Sequence, residues 1–241
     1  MIALLHVEIR KLNGSLALLL AVLAPALPGL LAALSLISTG RVPQWGSIFT
    51  DFVLPIWSFF LLPMVVAAFT TLVGQIEYRA RGWDHLLALP IARWRVFLAK
   101  AIIVLAVSAM MTMLVLLFTW VGASIGGAIS GHTPLGTLPW AELGRSVPLL
   151  LAGTTMLVVI QLWAALRFAS FVMPLVVGIS GTLVAMAVSM TRTNQAEWFP
   201  WVLPLKILTA PDPVHYAMLG GIGGLVLLVV MIGDLSRHNF K

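Results

Sequence analysis

The residue patterns in this chain that could carry chemistry each demand a different partner. Gly178-Ile179-Ser180-Gly181 sets a hydroxyl among small residues, as for a serine nucleophile, and His215 would have to be its base. Such a pair works only when hydroxyl and imidazole come within about 3 Å. The five histidines are scattered without an H-x-x-x-H spacing and the chain has no cysteine. Disulfides, thiolate metal sites and cysteine nucleophiles are therefore excluded, and no metal site is visible. No G-x-x-x-x-G-K-S/T phosphate loop is present, so the chain does not hydrolyse ATP by that mechanism. The densest set of ionisable groups is Gln75 to Lys100, QIEYRARGWDHLLALPIARWRVFLAK. It holds five of the fourteen Lys and Arg residues, yet keeps tryptophans and leucines that a solvated loop would not need.

The elements that must position these groups are set by the bilayer. With 61% hydrophobic residues, 9% charged residues and a mean hydropathy of +1.06 over 241 positions, the chain has too little polar surface to coat a soluble globule. Backbone groups cannot go unpaired in hydrocarbon, so spans are helices or closed barrels, and these apolar runs are too long for barrel strands of about 10 residues. The fold class is an all-α integral membrane protein, read as a single transmembrane domain over 1–241. Spans fall at about 15–37, 52–73, 101–121, 147–166, 169–190 and 216–232. Met1 to Asn13 suits an interfacial helix broken by Asn13-Gly14. Gly122 to Arg145 reads as a loop. The apolar run from Ser146 to Met190 is twice a span and must fold back near Arg167. Thr191 to His215, interrupted by four prolines, predicts short helices dipping against the bundle before the last span.

Six spans place both termini on one side. That side then collects ten basic and four acidic residues, while the other collects four of each, so the asymmetry accounts for the whole net charge of +6. The positive-inside rule makes the termini and Gln75 to Lys100 cytoplasmic. Trp45, Trp120, Trp140, Trp198 and Trp201 then mark the outer boundary, and Trp83, Trp94 and Trp163 the inner one. Nucleic acid is excluded as a partner for so apolar a chain, since its charge is explained by topology.

Within 75–100, helical spacing puts Ile76, Ala80, Trp83, Leu86 and Leu87 on one face and Glu77, Arg81, Asp84 and His85 on the other. Glu77 and Arg81 stand i, i+4 with the acid first, worth about 0.3 kcal/mol on an exposed surface. Pro90 ends the helix, and Arg93, Arg95 and Lys100 gather where the third span begins. An acid followed by Gly82-Trp83-Asp84-His85-Leu86-Leu87-Ala88-Leu89-Pro90-Ile91-Ala92-Arg93, then Lys100, resembles the cytoplasmic loop of export-type permease subunits of bacterial ABC transporters. That class includes bacteriocin and bacitracin immunity permeases and drug and polysaccharide export permeases. The N-terminal HVEIRKLNG, the six spans and the segment between spans five and six are similar to that family too.

The resemblance implies that Glu77 to Leu89 is a coupling helix docking into a separate ATPase, with Glu77, Arg81, Trp83, Asp84, Leu86, Leu87 and Pro90 as docking residues. Arg93, Arg95, Lys100 and Arg167 are the accompanying cytoplasmic interface charges. It implies a second permease protomer, ATP and Mg on the ATPase rather than on this chain, and a bacterial cytoplasmic membrane. The expected substrate is amphipathic or lipid-like, such as an antimicrobial peptide. The spans lack acids in their middles, as an ATP-driven rather than ion-coupled carrier would. The alternatives are a rhomboid-type serine protease and a non-transport scaffold. Ser180 lies ten residues below the end of its span, about 15 Å along a helix, whereas His215 opens the next span at the surface, so the two should miss each other. Gln161, Ser180, Gly220 and Gly224 remain candidates for a pathway or a packing face.

Overall fold

The computed structural model describes residues 1–39, 42–79, 83, 90–191 and 196–238. Helix α1 (Ile2–Leu12) ends at Asn13, and Gly14 turns the chain with a φ of 75°, a conformation glycine reaches without strain. Ser15 caps α2 (Leu16–Leu23), its hydroxyl accepting from the Leu18 N–H at 3.3 Å. With α3 (Ala26–Thr39), α2 forms the first span. The second runs from Ser47 to Arg79. It contains a π-helical stretch Ser47–Val53, α4 (Leu54–Ile56), a second π-helical stretch Trp57–Leu61, and α5 (Leu62–Arg79). The wide turns have a local cause: Pro55 and Pro63 lack N–H groups, so the ladder shifts register around them. The Leu54 N–H accordingly reaches the Phe49 carbonyl, and the Leu62 N–H the Trp57 carbonyl, each five residues back.

The remaining spans are α6 (Arg93–Ser130), α7 (Trp140–Arg167), α8 (Val172–Met190) and α10 (Pro213–Arg237), with the short α9 (Leu203–Thr209) between the last two. All six spans are long and apolar enough to cross a membrane, and no strand occurs among the described residues. The all-α membrane fold is as expected, but the region 122–145 is not. Most of it is helix: α6 continues to Ser130 and α7 begins at Trp140, leaving only 131–139 as a connection. At 38 residues, α6 is about 57 Å long, well beyond a hydrocarbon core of about 30 Å.

The glycines that suggested a loop instead bring backbones together, because helix association in lipid relies on close packing. A methyl group on Gly29 would collide with the Phe118 carbonyl, one on Gly122 with the Gly29 carbonyl, and one on Gly126 with the Ala33 backbone. The α3–α6 pair is thereby sealed. The connection 131–139 is tied to the start of the second span, with Leu135 N–H donating to the Pro43 carbonyl at 2.9 Å and Trp45 N–H to the Leu135 carbonyl at 3.0 Å.

Between α7 and α8 the chain reverses in four residues, as the Arg167 reading required. Side chains of α5 hold the turn: the Tyr78 hydroxyl donates to the Leu166 carbonyl at 2.7 Å and the Gln75 amide to the Ala169 carbonyl at 3.0 Å. The segment before α10 lies against the bundle, with Trp201, Val202 and Leu203 buried. Trp201 stacks on Phe199 at 5.2 Å and fills the space that Gly181 leaves.

Candidate functional site

Three elements converge at the base of the charged segment: α1, the end of α5 and the first turns of α6. They bring together Glu8, Lys11, Glu77 and Lys100. The Lys100 ammonium donates to Glu8 Oε2 at 2.6 Å and Glu77 Oε1 at 3.1 Å. Lys11 donates to Glu77 Oε1 at 2.6 Å and Glu8 Oε1 at 3.0 Å. Lys100 is 1% exposed, Glu77 3% and Glu8 7%, so three members of a closed ring of two acids and two bases are buried, with the half-buried Lys11 at its edge. Charges are tolerated at such depth only when paired, and here each carboxylate meets two ammonium groups. Burial opposes the charge on Lys11, but its hydrogen bonds to Glu77 and Glu8 and their negative charge prevail and hold its pKa above the ordinary value.

This geometry corrects two expectations. Glu77 does not lie on a solvent-exposed face: α5 runs on to Arg79, so Glu77 still faces α1 and α6. Lys100 is not a surface charge like Arg93 and Arg95, because it lies two turns farther along α6, where that helix passes α1. The ring escaped sequence reasoning since its members are separated by up to 92 positions. The one local signal was the Glu8–Lys11 spacing of three within a helix.

Trp83 is also inward, its ring 5.8 Å from those of Tyr78 and Phe97, which holds this residue against α5 and α6. Arg81, Asp84, Leu86 and Leu87, and with them most of the amphipathic helix expected over 77–89, lie outside the described residues. Pro90, Arg93 and Arg95 are exposed, with Arg95 lying 5.4 Å from the Trp94 ring. Arg10, Arg79 and Arg237 are exposed as well, so this end presents guanidinium groups while, among the described residues, Glu8 and Glu77 are turned inward and Asp234 is paired.

Arg167 closes the α7–α8 turn onto the end of α10, 3.3 Å from Asp234 and in contact with His238; Trp163 donates to the same carboxylate at 2.9 Å. Burial and the Arg167 charge hold the His238 pKa below its ordinary value, with Asp234 opposing them.

Residues 4–203 match the family model described as ABC-2 family transporter protein. The chain belongs to the ABC-2 transporter family. No curated protein and no solved structure matches it. The match runs from α1 to the first residue of α9 and so includes all four members of the charged ring. It makes the chain a multi-pass permease subunit of an ABC transporter. The permease lacks a phosphate-binding loop, and its family implies a partner ATPase subunit.

Gln161, Gly220 and Gly224 pack within the permease. Gln161, fully buried on α7, meets α8: with its amide nitrogen toward the Pro174 carbonyl (3.2 Å), its oxygen accepts from the Gly178 N–H (3.0 Å). Gly220 lies against the Gly153 backbone, and Gly224 against Thr155 and Met156, so this glycine face of α10 is turned to α7. Ser180 points outward from α8, while His215 lies against Tyr216 at 5.3 Å. No hydrogen bond joins Ser180 to His215 among the described residues, so the serine–base geometry is lacking.

Proposed function

We propose that this permease exports, or clears from the membrane, an amphipathic or lipid-like molecule, with an antimicrobial peptide as the leading candidate. It would do so in a bacterial cytoplasmic membrane, with both termini in the cytoplasm. A separate ATPase, which carries the ATP and Mg, docks on the 77–89 segment. Two permease protomers and two ATPases complete the transporter. The observation that carries this reading is the ring at the base of that segment: Glu77 opens it and Lys100 lies in the helix that follows it, and both are bound to α1. Movement of the docking segment therefore pulls on buried ion pairs linking three helices rather than on a loose loop. ATP-driven closure of the ATPase pair has in this ring a stiff connection to the spans.

Replacing Leu86 and Leu87 together by Asp tests the docking. We expect membrane insertion to be retained and the ATPase to be lost on purification from native membranes; unchanged copurification would overturn the docking assignment. A deletion strain screened against membrane-active antibiotics tests the substrate class, with increased susceptibility as the expected result.

A further inference from the structure

At the end of the bundle away from the termini, a cavity of about 640 Å³ opens between α6, α7 and the first π-helical stretch. Its volume falls in the range of about 300–1,000 Å³ usual for small-ligand pockets. Phe49, Leu117, Trp120, Trp140, Gly144 and Pro148 are among its lining residues, and none of the lining residues is charged. Three features set it apart from a chance gap. The π-helical turns that carry Phe49 are a form found frequently at functional sites. The 131–139 connection, hydrogen-bonded to 43–45, supplies Leu138 to its wall. Gly144, also in the lining, has free space beside it, since a methyl group there would meet no atom within 4 Å. Pro148, four residues on, also denies the Gly144 carbonyl its usual helical donor, so the α7 ladder is interrupted beside the cavity.

We propose that this cavity is an acyl-chain site for a bilayer lipid of the leaflet opposite the termini. The lining residues Met113, Leu117 and Trp120 are themselves 45%, 50% and 47% exposed on α6, so the cavity continues the face that a membrane-spanning helix shows to lipid. Trp120 and Trp140 stand at its rim, and exposed indoles favour the headgroup level, which leaves the cavity just beneath it. An apolar chain from the adjoining leaflet meets an almost wholly apolar wall, in which no side chain is charged and the indoles of Trp120 and Trp140 are the only polar side chains. A second copy of the chain would have to insert a side chain past the same tryptophans, and the site offers no charged group to orient a peptide. The inference rests on the membrane-spanning permease reading only for its depth in the bilayer. It is independent of ATPase docking, so failure of the Leu86/Leu87 experiment would leave it standing.

The test uses the full permease in nanodiscs containing a phosphatidylcholine with a photoactivatable diazirine near the end of one acyl chain. We expect labelling of peptides covering 113–120 and 140–148 in excess of that on the lipid-facing Val226 and Val229 of α10. Gly144→Trp fills the cavity and should abolish that excess, whereas Gly144→Ala should keep it. Gly144→Leu serves as the filling variant if the indole impairs folding. Labelling no greater than on α10, or an excess that survives filling, overturns the site. Because the chain is free of cysteine, Gly144→Cys gives a clean further arm. Efficient disulfide cross-linking between two copies would assign the cavity to a protein interface and overturn the lipid site, while its absence alongside the labelling supports it.

Discussion

Lys100 places an ammonium group at 1% exposure, and two carboxylates hold it there. Removing one member of a buried ion pair strands its partner, at a cost of about 3–5 kcal/mol, whereas removing charge in balance is far milder. Lys100→Met should therefore lower the thermal unfolding midpoint in detergent sharply. Adding Glu8→Gln should recover part of that loss, so the double-mutant cycle gives a coupling energy clear of zero; strictly additive losses would contradict the ring. Lys11 adds a pH signature. Its pKa is raised above 10.5, so its contribution is complete below the ordinary lysine value and is lost only as pH climbs through the raised one. The wild-type midpoint should lose this contribution only in strong alkali, and Lys11→Met should remove that alkaline loss while lowering stability at neutral pH.

Adjacent glycines on α10 have different tasks. A Cβ at Gly220 would run into the Gly153 backbone, whereas one at Gly221 would make ordinary contact with Ala152 at 3.7 Å. Gly220→Ala forces helices α7 and α10 apart and should destabilise by about 1–3 kcal/mol, as overpacking does. Gly221→Ala should be neutral or slightly stabilising, since it improves helix propensity without a clash. Equal effects would refute the packing geometry. The number of spans and the reversal after Arg167 were legible in the sequence because hydropathy reports burial in lipid directly. Helix ends were less so. Glycine at 122 and 126 reads the same whether it breaks a helix or admits a neighbouring backbone, and only α3 lying against it decides. The ring was illegible for a related reason: Glu77 beside Arg81 has the spacing of a surface pair, and nothing local reveals Lys11 and Lys100 in space.

Across the whole molecule, charge is distributed by end. Arg10, Arg79, Arg93, Arg95 and Arg237 are exposed near the termini, while Glu8 and Glu77 pair internally with Lys11 and Lys100, so the ring is neutral and the basic excess of that end is carried by exposed guanidinium groups. At the other end, Glu197 pairs with Lys206 at 2.7 Å and accepts from the Tyr216 hydroxyl at 2.6 Å, which holds its pKa below the ordinary value and neutralises that surface locally. Basic residues resist translocation, so the proposed orientation follows from this split. The absence of cysteine makes the orientation directly measurable. Single cysteines at His6 and at Thr137, both exposed and at opposite ends, introduce one thiol each without disturbing the core. A membrane-impermeant maleimide added to intact cells should label Thr137→Cys at once and His6→Cys only after the membrane is opened. The reverse pattern would invert the permease, put the docking segment on the side without ATP, and remove the basis for an ATPase partner at 77–89.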